Sequence, residues 1–127
     1  MTKEKFTLEY DLKTVSPNLL WNTLSTASGL EEWFADKVVV KDNKYFTFTW
    51  GESAQEAVLV AQRTGSFIRF RWADELEHTY FEFRISLDEI TGELALTVTD
   101  FAEADEMDDA KILWNKQVKD LFRCLGL

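Results

Sequence analysis

The chain has 127 residues and a mass of 14.8 kDa, the scale of one domain whose core needs neither disulfide nor metal. It is 46% hydrophobic and 14% aromatic with one proline and five glycines, which excludes a disordered tail or a collagen-like chain. A formal net charge of −9 argues against nucleic acid and anionic membranes as partners, and a single cysteine excludes an intramolecular disulfide framework.

Met1 to Val15 contain no apolar run of signal-peptide length, so export is not expected. No stretch approaches the roughly eighteen apolar residues of a membrane helix. No linker rich in Pro, Gly or Ser divides the chain and no internal repeat is visible, so a single domain over residues 1–127, in the cytoplasm, is the expectation.

Phe6, Leu8, Tyr10 and Leu12 alternate with Thr7, Glu9, Asp11 and Lys13, the period of two of a half-buried strand. Ser16-Pro17 then starts a helix. The serine oxygen can accept from an unpaired backbone N–H, and proline suits the first helical position because its missing N–H would be unpaired anyway. The prediction is a helix from Asn18 to about Ser25 with Leu20, Trp21 and Leu24 inward. Ser28 is expected to cap a second short helix, Gly29 to Phe34, with Glu31 completing a capping box.

From Asp36 to Phe101 the texture is that of strands. The predicted segments are Lys37–Lys41, Tyr45–Trp50, Gln55–Arg63, Ser66–Trp72, Thr79–Leu87 and Glu93–Phe101. Asp42-Asn43-Lys44, Gly51-Glu52-Ser53, Thr64-Gly65 and Thr91-Gly92 are turn signals, and Ala73–Glu77 reads as an acidic loop. Short turns between successive strands predict an antiparallel meander. The last strand turns Leu94, Leu96 and Val98 inward.

The tail is a long helix from about Glu106 to Leu125, with Met107, Ala110, Trp114, Val118, Leu121 and Leu125 at spacings of three and four. Acids crowd its start while Lys119 and Arg123 lie near its end, both favourable to the helix dipole. The result is an α+β domain: about six or seven strands in a curved antiparallel sheet, two short helices after the first strand, and a long C-terminal helix covering the apolar face.

Particular residues sharpen this into a family likeness. Ser16-Pro17-Asn18-Leu19-Leu20-Trp21 followed by Gly29-Leu30-Glu31-Glu32-Trp33-Phe34 resembles the opening of START-like (helix-grip) domains. The likeness is strongest to the group of homologues named after the activator of the ninety-kilodalton heat-shock-protein ATPase. Gly92 to Phe101 is similar to that group's Thr-rich last strand, and Ile112-Leu113-Trp114 to the start of its helix core. Two departures stand out: Asp42-Asn43-Lys44 replaces a common Gly-Gly turn, and Leu113 rather than glycine precedes Trp114. The activator's separate chaperone-binding domain has no counterpart in these 127 residues, which speaks against ATPase stimulation.

Candidate chemistry is sparse. His78, beside Glu75 and Glu77, could move protons, but no nucleophile is near it in sequence and a solvated loop histidine is the plainer reading. The acids from Glu103 to Asp109 lack the spacing of a calcium loop and read as helix-start charges, so no metal is expected. Cys124 reads as a passive thiol unless Arg123 activates it at an exposed site. No Gly-x-Ser-x-Gly elbow and no phosphate loop is present, and no cofactor is expected. Arg69, Arg71 and Arg84 fall on the outward phase, where a solvated convex face paired with Glu82 and its neighbours is expected.

The aromatic set is the informative feature. Phe48, Trp50, Phe70, Trp72, Phe81 and Phe83 fall on inward phases of their strands. Trp33, Phe34, Trp114 and Val118 come from helices that should face them. Aromatics fill cores, so packing alone could account for them. The resemblance implies instead that the helix leaves a pocket over the curved sheet, with these residues as its candidate lining. Three readings follow: a non-enzymatic module holding a small hydrophobic or amphipathic molecule, a protein–protein adaptor or co-chaperone-like regulator, and a cyclase- or hydrolase-like enzyme. The last needs a polar dyad in the pocket, and the inward phases offer none. The binding module is the expected function.

Overall fold

The computed structural model describes residues 2–13, 15–75 and 78–127, the Lys13 side chain excepted. The elements run β1 (Glu4–Lys13), α1 (Pro17–Ser25), α2 (Ala27–Leu30), β2 (Lys37–Lys41), β3 (Tyr45–Trp50) and β4 (Ser53–Arg63), then β5 (Phe67–Trp72), β6 (Phe81–Leu87), β7 (Leu94–Ala102) and α3 (Met107–Cys124). A short 3₁₀ turn, Ala104–Glu106, leads into α3. No helix among the described residues is long and apolar enough to cross a membrane.

The seven strands form one sheet in the order β1-β7-β6-β5-β4-β3-β2, every neighbouring pair antiparallel. Thus β2 to β7 are the expected meander, and β1 closes back beside the last strand. The hairpin between β2 and β3 turns through Asp42 and Asn43, whose φ of 57° and 54° lie in the left-handed region. Asp and Asn tolerate this region better than other non-glycine residues, so the pair serves where a Gly-Gly turn is usual.

Register carries the apolar phase across the sheet. Leu8 lies opposite Val98, Val98 opposite Phe83, and Phe83 opposite Ile68, giving one inward row across β1, β7, β6 and β5. Its three inner members are fully buried. The amphipathic α3 lies over this face with Trp114, Val118 and Leu121 buried. Burying each such side chain contributes about 1.5–3 kcal/mol, which is what holds the helix on the sheet.

The short helices differ from the sequence prediction. Thr26, extended at the end of α1, is the N-cap of α2, and its Oγ1 accepts from the Gly29 N–H at 3.0 Å. Ser28 therefore lies inside α2, which ends at Leu30 rather than Phe34. Glu31 closes no capping box; its Oε2 accepts from the Val38 N–H at 2.8 Å and pins the start of β2. The break at Thr26 places a hydroxyl at the new helix start two residues earlier than Ser28 could. In α1, Thr23 takes the buried position predicted for Trp21, which packs half-buried at the margin. The Thr23 hydroxyl donates to the Leu19 carbonyl at 2.8 Å, so its burial leaves no open donor. A Cβ on Gly29 would come within 2.6 Å of Thr23 Cα, so this close crossing of α1 and α2 requires glycine.

On the convex face, Glu82 pairs with Arg69 and Arg84 as expected, but it is buried between them rather than solvated, and Arg71 does not join the pair among the described residues. Arg69 Nη2 donates to Oε1 at 2.8 Å and Arg84 Nε to Oε2 at 3.2 Å. The guanidinium groups lie over the rings of Tyr80 and Phe67, at 4.2 Å and 4.4 Å from the centroids.

Candidate ligand-binding site

Phe34, delivered by the turn after α2, is the hub between sheet and helix. Its ring stacks on Trp114 at 5.9 Å and on Phe81 at 5.8 Å, and meets Phe48 and Trp50 edge-on at 5.0 Å and 5.4 Å. Much of the space under α3 is therefore filled by this side chain. Phe48, Phe70, Phe81 and Phe83 are fully buried and pack ring on ring, and Trp33 and Val118 are buried beside them. The Trp33 indole donates to the Thr23 carbonyl at 2.9 Å, fixing the Trp33-Phe34 pair to α1.

Open space remains at the Trp50–Trp72 end of the sheet, in addition to about 480 Å³ at the opposite end beside Thr26, Phe46 and Ile68. A cavity of about 380 Å³ has aromatic walls of Phe34, Trp50, Trp72 and Trp114. Leu113, Gln55 and Gln117 complete its lining, and Asp100 supplies its charge. Of the ten residues expected around a pocket, the structure thus gathers Phe34, Trp50, Trp72 and Trp114 here. Trp50 and Trp72 are half-buried, with rings 6.1 Å apart. The Trp50 indole donates to the Phe34 carbonyl at 2.6 Å, which anchors this wall to the hub.

Asp100 lies opposite Phe6 in the β1–β7 register, on the apolar phase of β7 after Leu94, Leu96 and Val98. Its Oδ2 accepts from the Trp114 indole at 2.9 Å and its Oδ1 from the Phe101 N–H at 2.7 Å. Burial pushes its pKa above the ordinary aspartate value; these two hydrogen bonds and nearby Lys3 oppose the rise, and Glu75 adds to it. Lys3 itself is held by Glu75 at 2.6 Å. Asp100 and Trp72 also line a smaller cavity of about 140 Å³ with Lys3, Glu75 and Tyr80.

A wider groove of about 530 Å³ adjoins, sharing Phe34, Trp50, Leu113 and Gln117 with the cavity. Trp33 contributes to it, along with the acids Glu31, Glu32, Asp36 and Asp120 and the bases Lys116 and Arg123.

The remaining candidates stand apart. His78 is exposed and meets the edge of Phe101, at 6.2 Å. Its expected neighbour Glu75 pairs with Lys3, and Glu77, like Leu76 of the same loop, lies outside the described residues. The Cys124 thiol is pushed up by burial and by Glu32, the opposite of activation, while Arg123 reaches Asp120 at 3.3 Å. Glu103, Asp105 and Glu106 bring carboxylate oxygens within 4.8 Å of one another at the start of α3, but largely in solvent.

Asp100 and Gln117 escaped the sequence reading. Both carried a signal: Asp100 continues the inward alternation of β7, and Gln117 sits three residues after Trp114 on the inward face of α3.

A family model, the START-like superfamily domain, matches residues 1–127, the span that holds the sheet, the two short helices and the covering α3. The chain belongs to the START-like superfamily. A Bacteroides fragilis protein solved in solution by NMR is 53% identical over 98% of this START-like chain and 92% of its own, with a TM-score of 0.70. The Aha1 dimer from Colwellia psychrerythraea is 15% identical over 96% of each chain, with a TM-score of 0.79. DynU16, a protein of the dynemicin biosynthetic locus, is 14% identical with a TM-score of 0.81, covering 98% of this chain and 48% of its own. The last two likenesses are of fold alone. No curated protein matches the sequence.

Proposed function

We propose that this START-like domain is a binding module that holds a small apolar or amphipathic molecule between the open end of its sheet and α3, without catalysing a reaction on it. The observation that carries this reading is the cavity of about 380 Å³ walled by Phe34, Trp50, Trp72 and Trp114. Its size and lining suit a small organic ligand: apolar walls supply the driving force, and a few polar groups at the rim fix orientation. Asp100 is the cavity's one ionisable lining residue among the described residues, and both its oxygens already accept hydrogen bonds from the protein. A nucleophile with an adjacent base, the minimum for covalent or acid–base work, does not line it among those residues.

Non-denaturing mass spectrometry of protein purified from its native host tests the proposal. The expected result is a reproducible added mass that disappears on denaturation. A bare mass, together with failure to take up any alkyl probe added at millimolar concentration, would overturn it.

A further inference from the structure

We infer that the cavity selects organic ammonium compounds: Asp100 pairs with the cationic head while the faces of Trp50 and Trp72 receive its alkyl or methyl groups. The inference rests on the binding-module reading above and names the class of ligand.

Three observations carry it. Asp100 is half-buried on the inner face of β7, and no lysine or arginine lies within ion-pair distance of it among the described residues. Its two hydrogen-bond donors, the Trp114 indole and the Phe101 N–H, are neutral. A carboxylate drawn out of water with no cation in direct contact, Lys3 acting on it from further off while held by Glu75, favours a cationic guest, because the guest lowers the penalty that burial imposes.

The walls are suited to the same guest. Trp50 and Trp72 stand 6.1 Å apart with planes inclined by 61°, and Phe34 closes on Trp50 at 5.4 Å. Indole faces carry negative electrostatic potential and attract ammonium groups, most strongly where water is excluded. One face of Trp72 stacks on Phe81 at 4.7 Å and one of Trp50 on Phe48 at 6.0 Å, so a guest meets the opposite faces. No cation of the protein lies over either indole among the described residues: the cation–ring contacts there involve Phe6, Tyr45, Phe67 and Tyr80.

The surroundings steer in the same direction. The adjoining groove presents four acids, Glu31, Glu32, Asp36 and Asp120, against two bases, Lys116 and Arg123. The chain as a whole carries a formal charge of −9. An anionic head would meet repulsion at each stage, and a neutral one would leave Asp100 without a cation in direct contact.

The test compares octyltrimethylammonium, octanol and octanoate, which share a tail and differ in head charge, below the concentration at which any of them forms micelles. Binding is read from tryptophan fluorescence. The expected order is octyltrimethylammonium tightest by about tenfold over octanol, with octanoate weakest. Asp100→Asn, which keeps an acceptor for the Trp114 indole, should bring the cation to within about threefold of octanol. Trp72→Leu should weaken the cation more than it weakens octanol. Equal binding of all three probes, or a cation preference that survives Asp100→Asn, would overturn the inference and leave the apolar cavity standing. Binding of none of the three would overturn the binding-module reading, and this inference with it. The wild-type order of the probes decides the matter even where a variant folds poorly.

Discussion

The indole N–H of Trp114 donates to Oδ2 of Asp100 across 2.9 Å, tying α3 to β7 at the rim of the cavity. The same Trp114 ring stacks on Phe34 at 5.9 Å. One helical residue thus connects a polar anchor on the last strand to the aromatic hub, and Asp100 both fixes the covering helix and faces the space beneath it.

Asp100 should leave a signature in the pH dependence of stability. Burial raises its pKa in the folded chain above the ordinary value of 3.8. The folded state therefore holds this proton more tightly than the unfolded state does. Stability contributed by this group is greatest below the ordinary value and falls as pH rises toward the raised folded value. Asp100→Asn cannot titrate, so the stability of wild type relative to the variant should improve on going from about pH 7 to about pH 4. Urea unfolding of both proteins at the two values measures this. A difference that does not change with pH, or that moves the other way, contradicts the burial assigned to Asp100.

Phe34 fills space that no neighbour can reclaim. Phe34→Ala should lower unfolding free energy by about 3–5 kcal/mol, because the ring is buried among Trp114, Phe81, Phe48 and Trp50. Denaturant unfolding of the variant checks this, and a loss below about 1 kcal/mol would mean that the hub collapses readily or is not packed as described.

Gly29 is expected to resist any side chain. Its added Cβ would meet the backbone of α1 at Thr23 Cα, and backbone cannot rotate aside as a side chain can. Gly29→Ala should destabilise by about 1–3 kcal/mol even though alanine is the better helix former. A rise in melting temperature would show that α1 and α2 do not cross this closely.

Glu82 should matter to stability and not to binding. It is buried on the convex face between Arg69 and Arg84, while the cavity opens on the other face. Glu82→Ala should reduce stability by about 1–3 kcal/mol through the loss of charge-assisted hydrogen bonds, with probe affinity unchanged in the folded fraction. A folded variant that loses probe binding would place the site elsewhere.

Strand boundaries were legible because period-two alternation and turn residues agree at nearly every hairpin; Lys37–Lys41 and Tyr45–Trp50 match to the residue. The long helix was legible from the spacing of Trp114, Val118 and Leu121. The α2 cap was less so, because Thr26 and Ser28 are both good caps. The choice between them depends on where α1 breaks, a tertiary matter settled by the crossing at Gly29. The site divides along the same line. Inward phase identifies the aromatic set, but which rings pack and which remain accessible depends on how far Phe34 reaches across the sheet, and one-dimensional periodicity does not encode that distance. Asp100 was overlooked because it is a polar residue in an apolar phase, where a deviation from the pattern is itself the signal.

A ligand should enter between the open end of the sheet and α3. Nitrogen-labelled indole resonances report it directly, because the chain's five tryptophans sample different places. Trp50, Trp72 and Trp114 line the cavity, while Trp21 lies on α1. On titration with octanol or octyltrimethylammonium, the Trp50, Trp72 and Trp114 N–H signals should move and saturate together while Trp21 stays in place. No movement of those three, or an unsaturating drift shared by all five, would contradict ligand entry at this place.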